Sequence, residues 1–458
     1  MTGLMPAPTA TVRWTGMTLA LTLTVAVASF EATATSALMP AVVADIGGRS
    51  WYPLVFGLYA VAELLGLVAG PVLVRSVGPA GTFVAGAVLH GTGLTLAGTA
   101  PYFGWLLAGR VVQGVGAGLV TVAVYVLVGY YPAARRGALL GYLAMCWALP
   151  GLAGPVVAGA VAELASWRAV LLGVPLFEVA ALVLAARGLR AIGPRRPGGD
   201  EPLRAGRRFL AALALAAGVL AVLNVRTLPA ALTWAVLGAA VLAILAGAAV
   251  LLPPGALRCA PGLPAAVLVR GVVAAPFIGV QYLIPLSLAD GRGYTTAGAG
   301  LALSGGVVGF SISGLMFTRP WLNRIEPVRV VVAGVVFVVA GMATTAAGLP
   351  PDRPVAYVFL GWVVAGLGVG LGVTALNVIV LDAAGEAARG TASAGMRVAE
   401  SAATSIVTAA SGLALARAAQ AGVAVPAVAA LVLLAFAGVL VPLLVAARRL
   451  PRRSATVP

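Results

Sequence analysis

Apolar residues follow one another in this chain in long unbroken stretches, and the breaks between them are short and carry arginine, glycine and proline. Fourteen stretches stand out, at roughly 17–44, 52–74, 79–99, 104–130, 137–162, 167–188, 209–225, 228–252, 263–289, 294–318, 328–349, 355–381, 391–416 and 424–447. About 20 apolar residues carry a helix across a bilayer, so each stretch is long enough for one crossing. Backbone groups in lipid must be bonded within their own segment, and segments of this length achieve that as helices, because barrel strands are about half as long. The pattern predicts an all-α integral membrane protein.

The stretches fall into sets of six, two and six. The longest polar interruption, 187–208, is rich in Pro, Gly and Arg and suits a cytoplasmic linker. The expected organisation is an N-terminal six-helix bundle over 1–190, a linker over 191–208, two extra transmembrane helices over 209–262, a C-terminal six-helix bundle over 263–447 and a cytoplasmic tail over 448–458. The extra pair carries few polar residues beyond Asn224, Arg226 and Thr227, which suits a peripheral, lipid-facing place. Two six-helix halves with a site between them are the architecture of a secondary transporter.

Composition agrees with that pattern. Hydrophobic residues make up 61% of the chain and charged ones 9%, far below the quarter or so of a soluble domain. The 59 Gly and 30 Pro, set within apolar runs, read as close-contact and kink positions between helices. The net charge of +16 is all arginine, since lysine is absent. With a cytoplasmic N-terminus, Arg13, Arg75, Arg135, Arg136, Arg258, Arg319, Arg324, Arg329, Arg389, the 187–208 connection and the C-terminal tail lie inside. Only Arg49, Arg168, Arg226, Arg292, Arg353 and Arg417 lie outside, so the positive-inside rule places both termini in the cytoplasm. The charge therefore reports membrane orientation, and no nucleic-acid partner is expected.

Several chemistries lack their residues. Cys146 lies in an apolar run and Cys259 in a loop, so no disulfide framework follows. His90 is the single histidine, which leaves no metal site, and it reads as structural. Neither a GxxxxGK[ST] phosphate loop nor a GxSxG nucleophile elbow occurs. An enzyme is not expected, and neither is a cofactor. The first stretch has no cleavage site after a short core and reads as a retained helix rather than a signal peptide.

Glu31 lies near the middle of the first stretch, where a charge costs about 2.5–3.5 kcal/mol on insertion scales. Burial favours the protonated acid, so this carboxyl can gain and lose a proton as its surroundings change. Thr24 and Thr35 share its helical face, and a purely structural hydrogen bond to a neighbouring helix is the other reading. The fourth stretch contains RVVQGVGAGL, which sets Arg110, Gln113, Gly114, Ala117 and Thr121 on one face. An arginine in that crevice can bias the proton affinity of a nearby acid, or it can bond backbone carbonyls.

These segments resemble the major facilitator superfamily, and within it the fourteen-helix drug:proton antiporter family of multidrug and antibiotic efflux proteins. Arg110, Gln113, Gly114 and Gly116 match the family's RxxQGxG signature, which implies a proton-coupling role for Arg110. ALPGLAGPVVAG, with Pro150, Gly151, Gly154, Pro155 and Gly159, resembles the antiporter motif that bends the fifth helix where the two halves meet. FEATATSALMPAVVADIGG resembles the first-helix ExT…ALP segment, carrying over Glu31, Thr33 and Pro40, and SWRAVLLGVP from Ser166 resembles the approach to helix six. The family's GxLADRxG loop departs here to PVLVRSVG, with Arg75 in place of the acid that helps latch the cytoplasmic side. Glu63, Asp382 and Glu386 are candidate surrogates.

In the second half, Arg397 and Glu400 stand one turn apart and can neutralise each other. Arg270 is the more isolated charge, and with Gln281 and Tyr282 it is a candidate for the substrate cavity, as are Thr35, Asn377, Arg397 and Glu400. Glu63 and Glu178 are further intramembrane acids that could relay protons. The resemblance implies a monomeric, multi-pass antiporter of the cell inner (plasma) membrane. It would export small organic compounds by alternating access in exchange for protons, with Glu31 and Arg110 coupling the two. A dedicated exporter of one endogenous metabolite, lipid or sugar, and a non-transporting sensor or scaffold, are the alternatives.

Overall fold

The computed structural model describes residues 14–192, 202–225 and 228–451, and in these every long element is a helix. The helices are α1 (Trp14–Ile46), α2 (Tyr52–Gly98), α3 (Phe103–Val128), α4 (Ala133–Leu164), α5 (Trp167–Ala191), α6 (Pro202–Asn224) and α7 (Ala230–Leu251). They continue as α8 (Leu263–Val280), α9 (Leu283–Arg292), α10 (Thr296–Phe317), the single-turn α11 (Pro320–Asn323), α12 (Pro327–Gly348), α13 (Ala356–Gln420) and α14 (Val425–Ala446). Half of the 191–208 linker (193–201), the end of the tail, Arg226 and Thr227 lie outside the described residues.

Twelve helices among the described residues are long and apolar enough to cross a membrane, against the fourteen stretches of the sequence. The difference arises at two places. The stretch 79–99 is continuous with 52–74 in α2, whose 47 residues leave helical geometry only at Gly78 (φ 79°, ψ 167°). In α4 the apolar stretch among the residues whose side chains are described is Ala148–Leu164, shorter than a full crossing, although the helix itself runs 32 residues. Elsewhere α13, at 65 residues, holds two of the spans, Ala356–Ala384 and Gly395–Gln420, while α8 and α9 share the span Leu263–Arg292.

Glycine decides how α2 and α3 fit. The positive φ at Gly78 turns α2 back, so α3 packs against both of its arms, 52–77 and 79–98. A Cβ at Gly114 would come within 2.5 Å of the Tyr59 carbonyl oxygen, and one at Gly118 within 2.3 Å of that of Glu63, both on the first arm. On the second arm, a Cβ at Gly116 would lie 2.3 Å from the His90 backbone nitrogen, and one at Gly93 2.3 Å from that of Gln113. Helix backbones therefore touch on both sides of α3, the close approach that small residues permit in lipid, where no hydrophobic force separates lipid from helix.

The first five helices pack on one another, as do α8 to α14. Between these sets, α4 lies on α10 and α2 on α13. The buried positions of α4, Gly151, Gly154, Pro155, Ala158 and Gly159, recur every three or four residues and form one face. Gly159 abuts Ala297, with a Cβ–Cα approach of 2.4 Å, and the Ser304 hydroxyl donates to the Leu152 carbonyl at 2.7 Å. The α6–α7 pair sits at the rim, and Leu223 of α6 fills the space beside Gly57 of α2 and Gly412 of α13.

Candidate functional site

The charges that the hydrophobic pattern would exclude are gathered where these helices meet. Glu31, from the middle of α1, is 1% exposed. Its Oε1 accepts from the Thr35 hydroxyl at 2.7 Å, one turn along, and from Arg110 Nη1 of α3 at 2.5 Å. Its Oε2 is buried without a hydrogen-bond partner. Arg110 also donates through Nη1 to Gln113 Oε1 at 2.5 Å and through Nε to the Val55 carbonyl at 3.3 Å, and its guanidinium lies 4.3 Å from the Tyr59 ring centroid. Charge pairing, two further acceptors and an aromatic face together offset the cost of holding a guanidinium away from water.

The cluster continues beyond Gln113. Its Nε2 stands 3.3 Å from His90 Nε2, and His90 Nδ1 contacts Glu178 Oε1 of α5. Glu178 Oε2, like Glu31 Oε2, has no partner. Thr35, Glu31, Arg110, Gln113, His90 and Glu178 thus form one buried polar chain through α1, α3, the second arm of α2 and α5. Gly116 and Gly93 produce it, since the close backbone approach brings Gln113 within reach of His90.

A second group lies between the two helix sets. Arg397 Nη1 donates to Glu400 Oε2 at 2.9 Å, one turn apart as the spacing predicts, and Arg397 Nη2 lies 3.7 Å from Glu63 Oε1 of α2. Arg270 is not isolated. Its Nη2 lies 3.3 Å from Glu400 Oε2 and its Nε donates to Asn377 Oδ1 at 3.0 Å, because α8 and α13 pack side by side. Glu63 follows Tyr59 by one turn, so the two groups adjoin on α2.

Gln281 lies at the break between α8 and α9, half-buried, while Tyr282 is buried and faces α2. The Tyr282 hydroxyl pairs with Ser411 Oγ at 2.9 Å and its ring stacks on Phe56 at 4.8 Å. In α4, Gly154 faces Thr33 and Phe30 of α1, Pro155 and Gly159 face α10, and Pro150 is half-buried near the same junction. Gln113 and Gly114 stand on neighbouring faces of α3, the first toward His90 and the second toward Tyr59 and Glu63. Of the candidate latch residues, Glu63 pairs with Arg397, Asp382 is exposed and the Glu386 side chain lies outside the described residues.

On the face that carries Gly48, the helix sets are joined again. Arg49 pairs with Asp290, the Glu163 carboxylate accepts from the Ala297 backbone N–H at 3.0 Å, and the Tyr52 hydroxyl donates to the Tyr282 carbonyl at 3.4 Å. Cavities of about 440 and 410 Å³ open beside Arg49 on this face, away from the buried charges.

His90 and Tyr59 are the members that pattern reading missed. Single polar residues on apolar helices read as structural, but the spacing Gly86, His90, Gly93 was an available signal. It places His90 on the glycine face of its helix, where another backbone must come close.

Residues 21–278, more than half of the chain, match the family model of the Major Facilitator Superfamily. A protein named as a probable multidrug-efflux transporter of Mycobacterium tuberculosis is 30% identical over 196 residues, which cover 42% of this chain and 41% of that protein. An MFS-type transporter of the acurin A biosynthesis cluster of Aspergillus aculeatus is 28% identical over 151 residues, 33% of this chain and 27% of the relative. The aligned segment thus spans under half the length of these curated relatives. Among solved structures, an auto-inhibited POT family peptide transporter superposes with a TM-score of 0.69 at 14% identity, covering 96% of this chain and 99% of the other.

Proposed function

The chain belongs to the Major Facilitator Superfamily, a family of membrane transporters, and from that premise we propose that it is a proton-coupled antiporter exporting small organic compounds by alternating access. The observation that carries this reading is the Glu31–Arg110 pair. It consists of a carboxylate 1% exposed, held by one arginine, with one oxygen bonded and the other free of partners. Such a group changes charge when a proton arrives or when Arg110 moves away, so proton binding and helix position are linked.

With Arg110 engaged, Glu31 is ionised and the pair is neutral. Protonation of Glu31 would leave the guanidinium uncompensated in lipid, and a rearrangement that gives Arg110 another acceptor then becomes favourable. Export follows if Glu31 loses its proton on the side where substrate enters and regains one on the side where substrate leaves. The similarity to an efflux transporter supports an amphipathic or cationic drug-like substrate. Thr35, Arg270, Gln281, Tyr282, Asn377, Arg397 and Glu400 are proposed to line its path, and Glu63–Arg397 to join the halves along it.

The finer family assignment belongs to the same proposal. The turn at Gly78 supports two crossings by α2, and with α4 as a further crossing the count becomes the fourteen of the drug:proton antiporters. In that arrangement two six-helix bundles flank α6 and α7, both termini face the cytoplasm and the plasma membrane holds a monomer.

Reconstitution in proteoliposomes tests the reading. Wild-type protein is expected to acidify or alkalinise the lumen in step with movement of a drug-like cation, while Glu31→Gln and Arg110→Ala fold but lose that linkage. Wild-type exchange in both variants would remove the mechanism.

A further inference from the structure

We propose that His90 and Glu178 form a second proton-binding site, and that the amide of Gln113 ties its protonation to the Glu31–Arg110 pair. The inference rests on the reading of Glu31 as the coupling acid and extends it to a group that the proposed mechanism leaves unused.

An amide has one accepting end and one donating end, whereas a guanidinium only donates. Because Arg110 Nη1 lies 2.5 Å from Gln113 Oε1, the amide oxygen must face Arg110 and its NH2 must face His90. That orientation follows from the partners' capacities and not from observed hydrogens. His90 Nε2 is then an acceptor, and the ring proton sits on Nδ1, donated to Glu178 Oε1. A further proton on Nε2 would set donor against donor. The conflict is relieved only when the Gln113 amide turns over, which presents its NH2 to Arg110 and breaks the Arg110–Gln113 bond. Arg110 Nη1 is shared between Gln113 and Glu31, so the turnover acts directly on the coupling pair. In the other direction, protonating Glu31 removes a carboxylate from the linked groups and weakens proton binding at His90.

Charge balance provides an independent argument. Among the described residues, the two linked groups hold four carboxylates, Glu31, Glu63, Glu178 and Glu400, against three guanidinium groups, Arg110, Arg270 and Arg397. One negative charge is left over when His90 is neutral, and an uncompensated charge inside a membrane protein is costly. A proton on His90 Nε2, or on Glu178 Oε2, closes the balance. The groups acting on His90 are Glu178 from α5, Arg110 and Gln113 from α3, Glu31 from α1 and, farther off, Glu63 on the other arm of α2 with Arg397 of α13 behind it. Uptake takes one proton from water to form one N–H bond, and release returns it.

The chain contains one histidine, so 15N-imidazole labelling yields a single pair of ring signals when the affinity tag is histidine-free. In wild-type protein in lipid vesicles, near-neutral pH is expected to give the Nδ1–H tautomer with an unprotonated Nε2, and acidification to give the imidazolium. Gln113→Glu offers an acceptor to Nε2 while keeping one for Arg110, and raises the proton affinity of His90 about tenfold or more, one pH unit. Glu31→Gln removes a carboxylate from the network and lowers that affinity by about the same factor. An Nε2–H tautomer in wild type, no imidazolium down to about pH 5, or a titration that ignores both substitutions overturns the proposal. The wild-type tautomer decides it even where a variant does not fold. Absence of His90 titration alongside intact Glu31-dependent export discards this site alone, whereas normal His90 titration without substrate-linked proton movement discards the transport reading alone.

Discussion

Replacing Gly116 by alanine adds one methyl group at the contact that positions the buried charges. The new Cβ would lie 2.3 Å from the His90 backbone nitrogen and 2.7 Å from the Gly86 carbonyl oxygen, where ordinary contact starts at 3.4 Å. Both neighbours are main chain, so no side chain can swing aside and α3 must move off the second arm of α2 by about 1 Å, the gap between 2.3 and 3.4 Å. The Gln113–His90 contact is already 3.3 Å long, and such a shift takes it beyond hydrogen-bonding range. Overpacking of this kind costs about 1–3 kcal/mol, and leaving a buried amide unpaired costs a further amount of about 1–3 kcal/mol. The opposing gain from helix propensity is about 1 kcal/mol, so the net effect is destabilising. Thermal unfolding in detergent at one fixed scan rate, read beside proton-linked transport, provides the assay. Gly173→Ala and Gly314→Ala, where nothing lies within 4 Å of the added Cβ, are the matched controls and are expected to be as stable as wild type or more so. If Gly116→Ala unfolds with the controls and keeps wild-type coupling, the backbone approach does not hold the network and the reasoning fails.

Three further outcomes follow from the same geometry. Arg110→Leu strands the Glu31 carboxylate and is expected to lower stability by about 3–5 kcal/mol, whereas Glu31→Leu with Arg110→Leu recovers most of it, as a double-mutant cycle of melting curves would show. Asp290→Asn breaks the contact to Arg49, whose side chain is 62% exposed, so stability changes by less than about 1 kcal/mol and the difference disappears in high salt. Trp362→Ala empties a site 1% exposed where the ring stacks on Phe277 at 4.3 Å, and costs about 3–5 kcal/mol in the same melting assay.

The helices and the burial of Glu31 and Arg110 within them were legible because lipid makes the hydrophobic pattern nearly unambiguous and makes each intramembrane charge conspicuous. The i, i+4 contact from Thr35 to Glu31 and the i, i+3 pair of Arg397 and Glu400 follow from helix geometry alone. Span bounds were less secure. Gly78 turns α2 without ending it, so two apolar stretches run on as one continuous helix. Partners from distant segments were not legible. Arg270 reads as isolated because Glu400 is 130 residues away, and His90 reads as structural because nothing local shows that Gln113 and Glu178 flank it. Those pairings are set by which faces of α2, α3, α5, α8 and α13 meet, and glycine positions constrain the meeting without naming the residues brought together.

Proton counting on substrate binding addresses the central claim with the fewest intermediate steps. Purified protein in weakly buffered detergent solution, carrying a pH-sensitive dye, is mixed with a compound that it binds. The account predicts that wild type releases protons as the compound binds and that Glu31→Gln binds it and releases none. Equal release from Glu31→Gln, or binding to wild type with no release at all, would contradict a mechanism in which this buried carboxylate trades its proton for cargo.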